Sequence, residues 1–139
     1  MNRKFLWTIS ILVIITISIL TYLYLNNTYI YRRIDVYTAK DFNKEKNTPI
    51  LSINEKSKLK EISSIIRKSE KISGILNVVS PKYILEIHSF NKSMQTVYLW
   101  IGKDNVKGIY IYKDNTETGY SISETNAQEL RKIVITTNN

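Results

Sequence analysis

His88 is the single histidine in a chain of 139 residues that has no cysteine. A histidine with no second group beside it in sequence is a weak general base and a one-ligand metal site. The competing reading is a partly exposed strand histidine. The carboxylates Asp35, Glu86, Asp104, Asp114 and Glu117 are scattered, and no spacing pairs any two of them. Acid–base catalysis needs two groups held in defined geometry. Gly102-Lys103 lacks the upstream glycine and the following Ser or Thr of a phosphate loop, and reads as a turn. Without cysteine there is no disulfide framework, thiolate metal site, cysteine nucleophile or attachment of lipid through a processed cysteine. On these grounds no catalytic residue, no metal ligand and no cofactor is assigned, and the chain reads as not an enzyme.

Aromatic residues offer the other candidate chemistry. Tyr98, Trp100, Tyr110, Tyr112 and Tyr120 fall on what should be neighbouring strands. Tyr98, Trp100, Tyr110 and Tyr112 have matching parity within their strands, so they are expected on one exposed or half-exposed face. These four are the candidate binding residues. Aromatics on a sheet face beside lysines can stack bases or sugars. Tyr and Trp are also good strand formers that pair across strands with no ligand involved.

The elements that must hold these residues follow from periodicity. Ile34-Asp35-Val36-Tyr37 alternates as a first strand, and Ile50-Leu51-Ser52-Ile53 is a short second one. Asp41 to Pro49 is polar and reads as a loop. Asn54 is the expected N-cap of a helix, with Glu55 placed for the helix dipole. Leu59, Ile62, Ile65, Ile66 and Ile72 recur at helical spacing on one face, while Lys56, Lys58, Lys60, Arg67, Lys68 and Lys71 cover the rest. Gly74 is the expected left-handed stop. Strands follow over 82–88, 96–101, 109–112 and 120–122, joined by short turns, which implies an antiparallel meander. In the first of these, Tyr83, Leu85 and Ile87 share one face and Ile84, Glu86 and His88 the other. Ser123 caps a last helix striped by Ala127, Leu130, Ile133 and Val134. Both helices must cover the same sheet face, giving a two-layer α+β domain.

Ahead of this domain, Phe5 to Leu25 carries no charge. As a helix it would measure roughly 31 Å, close to a hydrocarbon thickness of about 30 Å. Trp7 lies near one end and Tyr22, Tyr24, Tyr29 and Tyr31 near the other, as in an aromatic belt. No small-x-small cleavage site follows, which favours a permanent anchor over a signal peptide. The expected organisation is a cytoplasmic tip and transmembrane helix over 1–25, a juxtamembrane linker over 26–33 and an extracytoplasmic α+β domain over 34–139. Arg3 and Lys4 against the apolar run favour an inner N-terminus, although Arg32 and Arg33 nearly balance them.

The formal net charge is +8, and Arg3 and Lys4 supply only two of these charges, so most of the excess lies on the domain. A basic domain tends to meet anionic surfaces. The lysine-rich face of the first helix is a candidate for anionic head groups.

Ile65 to Ile75, Ser80-Pro81-Lys82-Tyr83, Tyr98-Leu99-Trp100-Ile101-Gly102, and Tyr120-Ser121-Ile122-Ser123 with the helix after it resemble the YhfM-like domain of spore-forming and related Gram-positive bacteria. The likeness covers roughly residues 30–135. It implies a small extracytoplasmic domain, often behind a lipoprotein signal or single anchor, and carries no functional residues. The chain departs from the lipoprotein form in having no cysteine.

Together these readings give a membrane-anchored, extracytoplasmic, non-enzymatic interaction module. Its expected partners are the bilayer through residues 5–25 and an envelope protein, anionic wall polymer or lipid head groups, with nucleic acid disfavoured. The alternative is a small-ligand-binding or enzymatic domain that uses the aromatic sheet face.

Overall fold

The computed structural model describes residues 3–27, 31–42, 48–73, 78–102 and 106–135, with the side chains of 3–6, 8, 23 and 25–27 left aside. The order is α1 (Arg3–Asn27), β1 (Tyr31–Thr38), β2 (Leu51–Ile53), α2 (Lys56–Arg67), β3 (Glu70–Lys71), β4 (Tyr83–Ser89), β5 (Met94–Trp100), β6 (Gly108–Tyr112), β7 (Asn115–Ile122) and α3 (Glu124–Ile135). The seven strands form one sheet in the order β2-β1-β4-β5-β6-β7-β3. Every pair in it is antiparallel.

One face of this sheet is apolar and carries both α2 and α3. Ile34, Val36, Leu85, Ile87, Val97, Leu99 and Ile122 point into it, and Leu59, Ile62 and Ile65 of α2 and Ala127, Leu130 and Val134 of α3 close over them. Fully burying a side chain of this size contributes about 1.5–3 kcal/mol, so this seam holds the two layers together. α3 starts as its sequence predicts: Ser123 Oγ accepts the backbone N–H of Asn126 at 3.3 Å.

The expected transmembrane helix ahead of a two-layer domain needs correction. α1 forms over Arg3–Asn27, and its described apolar side chains are exposed. Among the described residues, however, no helix is long and apolar enough to cross a membrane. What the described residues form is an α+β unit with a seven-stranded antiparallel sheet and three helices.

The first amphipathic helix also differs from expectation at both ends. Glu55, not Asn54, is the N-cap, with extended backbone and no side-chain cap bond. Its carboxylate instead accepts from Ser57 Oγ at 2.5 Å and pairs with Lys58 Nζ at 3.0 Å. These two contacts hold the Glu55 carboxyl below its ordinary pKa, the hydrogen bond from Ser57 most of all. α2 then stops at Arg67, because the chain is drawn out to pair Glu70 with Ser121 and Lys71 with Tyr120. Ile72 donates its N–H to Gly119 O at 2.8 Å, so it belongs to this edge and not to the helix. A short edge strand of two charged residues leaves little for another chain to pair with. Gly74 lies outside the described residues.

Burial of Tyr31 gives a measurable pH dependence. Its hydroxyl is pushed up to about 12, first by burial and then by Tyr112. A group with a raised folded-state pKa contributes stability that is complete below its unfolded value of about 10 and is lost as pH rises through about 12. The urea midpoint of the native chain should therefore fall more between pH 8 and pH 11 than that of Tyr31→Phe. Equal losses in the two proteins would show that Tyr31 contributes nothing to the alkaline transition.

Candidate functional site

The helix-free face of the sheet holds the polar side chains. Register places Arg33 beside His88, Asp35 beside Glu86 and Ser52 beside Asp35. On β5, Thr96 lies opposite Glu86 and Met94 opposite His88. Residues 35, 86 and 88 alternate with the core residues Ile34, Val36, Leu85 and Ile87. The same two-residue period that builds the core therefore lifts the charges to the other side.

Asp35 is the centre of this cluster and its side chain is only 6% exposed. Oδ1 accepts Ser52 Oγ at 2.6 Å. Oδ2 is 2.9 Å from Arg33 Nε and 3.1 Å from His88 Nε2. A carboxylate taken out of water must have partners, and here each oxygen has at least one. Arg33 Nη2 lies 3.3 Å from the same His88 nitrogen. Nε2 thus sits between an acceptor and a donor: a proton on it is held by Asp35, and a bare lone pair is met by Arg33. Among the described residues Nδ1 has no hydrogen-bond partner, and the ring is 26% exposed. Tyr37 donates to Glu86 Oε2 at 2.9 Å, and burial followed by that bond raises its hydroxyl to about 12.

Asp35, Glu86 and His88 each bring one ligand atom to within 4.8 Å of the others. A metal is poorly served there. The Arg33 guanidinium already occupies Asp35 Oδ2, and a cation would have to displace it against its own charge.

A hollow of ≈ 260 Å³ opens beside His88, lined also by Arg32, Arg33, Ser89, Lys92 and Ser93. It lies at the end of the sheet where β1 begins and the β4–β5 hairpin turns.

The four aromatic candidates do not share a face. Tyr98 lies opposite Ile111 and Trp100 opposite Ile109, on the helix-free side. Tyr110 and Tyr112 lie opposite Leu99 and Val97, on the core side. There Tyr110 stacks on Tyr120 with centroids 4.9 Å apart, and Tyr112 meets both edge-on. Tyr110 also donates to Ile66 O of α2 at 3.3 Å, which makes it part of the core. Trp100 donates Nε1–H to Val79 O at 2.7 Å. None of the four lines the hollow at His88. The residues that do meet there, Asp35 and His88, are 53 positions apart in sequence, and only the β1–β4 pairing joins them.

A family match decides what the chain is related to. The family described as YhfM protein matches residues 32–139. The chain belongs to the YhfM family. No curated protein matches it. The YhfM chain is similar in structure to a thioesterase-like protein from Clostridium sporogenes, with 21% identity over 78% of this chain and 98% of that one, and a TM-score of 0.57. At that identity the likeness is one of fold. It nevertheless corrects two expectations, that the chain is not an enzyme and that it is a membrane-anchored non-enzymatic interaction module. The fold is shared with a thioesterase-like protein. A carboxylate and an imidazole that no spacing in the YhfM sequence pairs, Asp35 and His88, are in contact at 3.1 Å.

Arg33 and Asp35 should be energetically coupled. A double-mutant cycle of Arg33→Met and Asp35→Asn, read by urea unfolding, should give an interaction of about 1 kcal/mol or more, within the range for residues sharing one network. The single Asp35→Asn change should cost about 1–3 kcal/mol, because a buried acceptor loses its charge against two donors. A coupling near zero would mean that the pair is a surface contact only.

Proposed function

We propose that the chain is a small hydrolytic enzyme acting on an acyl ester or thioester at the helix-free face, with His88 as general base and Asp35 as its positioning carboxylate. The observation that carries this reading is the 3.1 Å contact of His88 Nε2 with buried Asp35 Oδ2, with Nδ1 left unbonded among the described residues. The fold shared with a thioesterase-like protein supports the reaction class.

With Nε2–H donating to Asp35, Nδ1 presents its lone pair to a water. The water oxygen bonds to the acyl carbon as its proton passes to Nδ1. The resulting imidazolium is stabilised by Asp35, the role a carboxylate plays in any Asp–His pair. Arg33, half in solvent and beside the ring, would be the donor to the oxyanion as charge develops there. The carbon–sulfur or carbon–oxygen bond then breaks, and the imidazolium returns its proton to the leaving group. One water is consumed, and an acid and a thiol or alcohol leave. No cysteine or serine nucleophile is required.

The test is thiol release from a panel of short- and long-chain acyl thioesters, alongside the matching oxygen esters, by the purified full chain. His88→Gln should lower kcat/KM about 10²–10⁴-fold, the usual contribution of a positioned base. Asp35→Asn should lower kcat more than it raises KM, because it acts on the base and not on the substrate. If no substrate in the panel is turned over above the uncatalysed rate, or if folded His88→Gln keeps full activity, the reading is wrong.

A further inference from the structure

The hollow beside His88 is shaped by two backbone irregularities that converge on it. The first is in β1. Tyr31 pairs with Ser89 and Arg33 with His88, so two residues of β1 answer one step of β4, and Arg32 is the extra residue of a bulge. Strict alternation would put residues 31 and 33 on the same face. Instead Tyr31 is in the core, while Arg33 faces away from it and Arg32 is exposed, so both arginines line one hollow. Re-aiming a side chain in this way is what a bulge does, and bulges are over-represented beside functional sites. The second irregularity is at Lys92. Its φ is 66°, and among the described residues no other non-glycine has positive φ. The turn holds it there: Lys92 N–H donates to Ser89 O at 3.2 Å and Ser89 N–H to Ser93 O at 2.9 Å. Asn91 Oδ1 accepts both Ser93 N–H at 3.1 Å and Ser93 Oγ at 2.6 Å. A side chain kept in this conformation costs stability and is worth a functional question.

The charges in the hollow do not cancel. Arg33 is answered by Asp35. Arg32 and Lys92 are exposed and have no ion pair among the described residues, and no carboxylate lines the hollow. Two unpaired cations, with the Arg33 fork behind them, suit a compact anion of more than one negative charge.

We infer that this hollow is a binding subsite for a phosphate group, held by Arg32 and Lys92 at the mouth and Arg33 behind. The inference rests on the hydrolytic reading only in taking that phosphate to belong to the substrate's acyl carrier or acyl part; binding itself needs no turnover. Phe90 and Met94, 62% and 54% exposed, lie on the same hairpin. The phosphate therefore arrives either on a soluble molecule or on a lipid.

The experiment uses the full chain at low salt in two arms. One titrates inorganic phosphate and inorganic pyrophosphate by calorimetry. The other sediments the chain with phosphatidylcholine vesicles with and without phosphatidic acid. Each arm compares the native chain with Arg32→Gln/Lys92→Gln, both exposed positions, and with Lys107→Gln/Lys113→Gln, which removes equal charge from exposed positions outside the hollow. Thermal unfolding confirms that each variant is folded. Expected is binding in at least one arm, weakened about tenfold or more by the hollow variant and little by the control. Binding of the free anions assigns a soluble ligand, and retention only by phosphatidic acid vesicles assigns a lipid head group; both support the subsite. No binding in either arm, or equal loss in the two variants, overturns it. Phosphate binding without thiol release would sink the hydrolytic reading alone, and thiol release without phosphate binding would sink the subsite alone.

Discussion

β1 and β4 run antiparallel with Ile34 against Ile87 and Val36 against Leu85, and the same register sets Asp35 against Glu86 and Arg33 against His88. Core and site are thus fixed by one alignment. Side chains repeat every two residues, so a slip of one position would drive Asp35 under α2 and α3 and expose Ile34 and Val36. Such a slip forfeits apolar burial and strands a carboxylate in the core together. The fold therefore defends the geometry of its polar cluster as strongly as it defends its own hydrophobic seam. The segment between the two strands is not idle either. It supplies β2, whose Ser52 donates to Asp35, and α2, which seals the opposite face.

Asp35 is where the sheet carries a cost that packing alone would not impose. An apolar side chain at that position would avoid the desolvation of a carboxylate, which even well-paired buried ions barely recover. Instead the structure surrounds it with Ser52, Arg33 and His88. The result is a fixed negative charge beneath an imidazole and a guanidinium. That arrangement orients the ring and sets a partner for its protonated form, neither of which a core residue would do. Among the described residues, the neighbouring hollow adds positive charge without a balancing carboxylate. Field and acid–base pair thus lie side by side at one end of the sheet.

Much of this fold was legible in the chain because its signals are local. Alternation marks β4 through β6, and the stripe Ala127, Leu130, Val134 with Ser123 ahead of it marks α3. Where non-local pairing competes, local signals mislead. Ile72 continues the helical period of Leu59, Ile62 and Ile65, yet the free edge of β7 draws residues 70–72 into extended pairing. Parity within a strand could not say which face of the neighbouring strand matches it. That depends on the connection between Trp100 and Gly108, and it set Tyr98 and Trp100 apart from Tyr110 and Tyr112. The Asp35–His88 contact spans 53 positions and leaves no trace in spacing. The bulge at Arg32 is equally silent, since Tyr31-Arg32-Arg33 carries no strand signal and falls in the expected juxtamembrane linker.

The YhfM match begins at residue 32, just before Arg33, and runs to 139, so it contains every residue of the polar cluster and the hollow and leaves the whole of α1 outside. The structure divides the chain at the same place. Among the described residues, the core cluster draws on β1 through α3 and takes no side chain from α1. A site assembled wholly from β1, β2, β4 and the β4–β5 turn needs only the sheet beneath it. Whatever α1 does, it does not build the acid–base pair or the cationic hollow. The helix-free face is where a buried carboxylate, an imidazole with one nitrogen unbonded among the described residues and two cations without an ion pair among them meet.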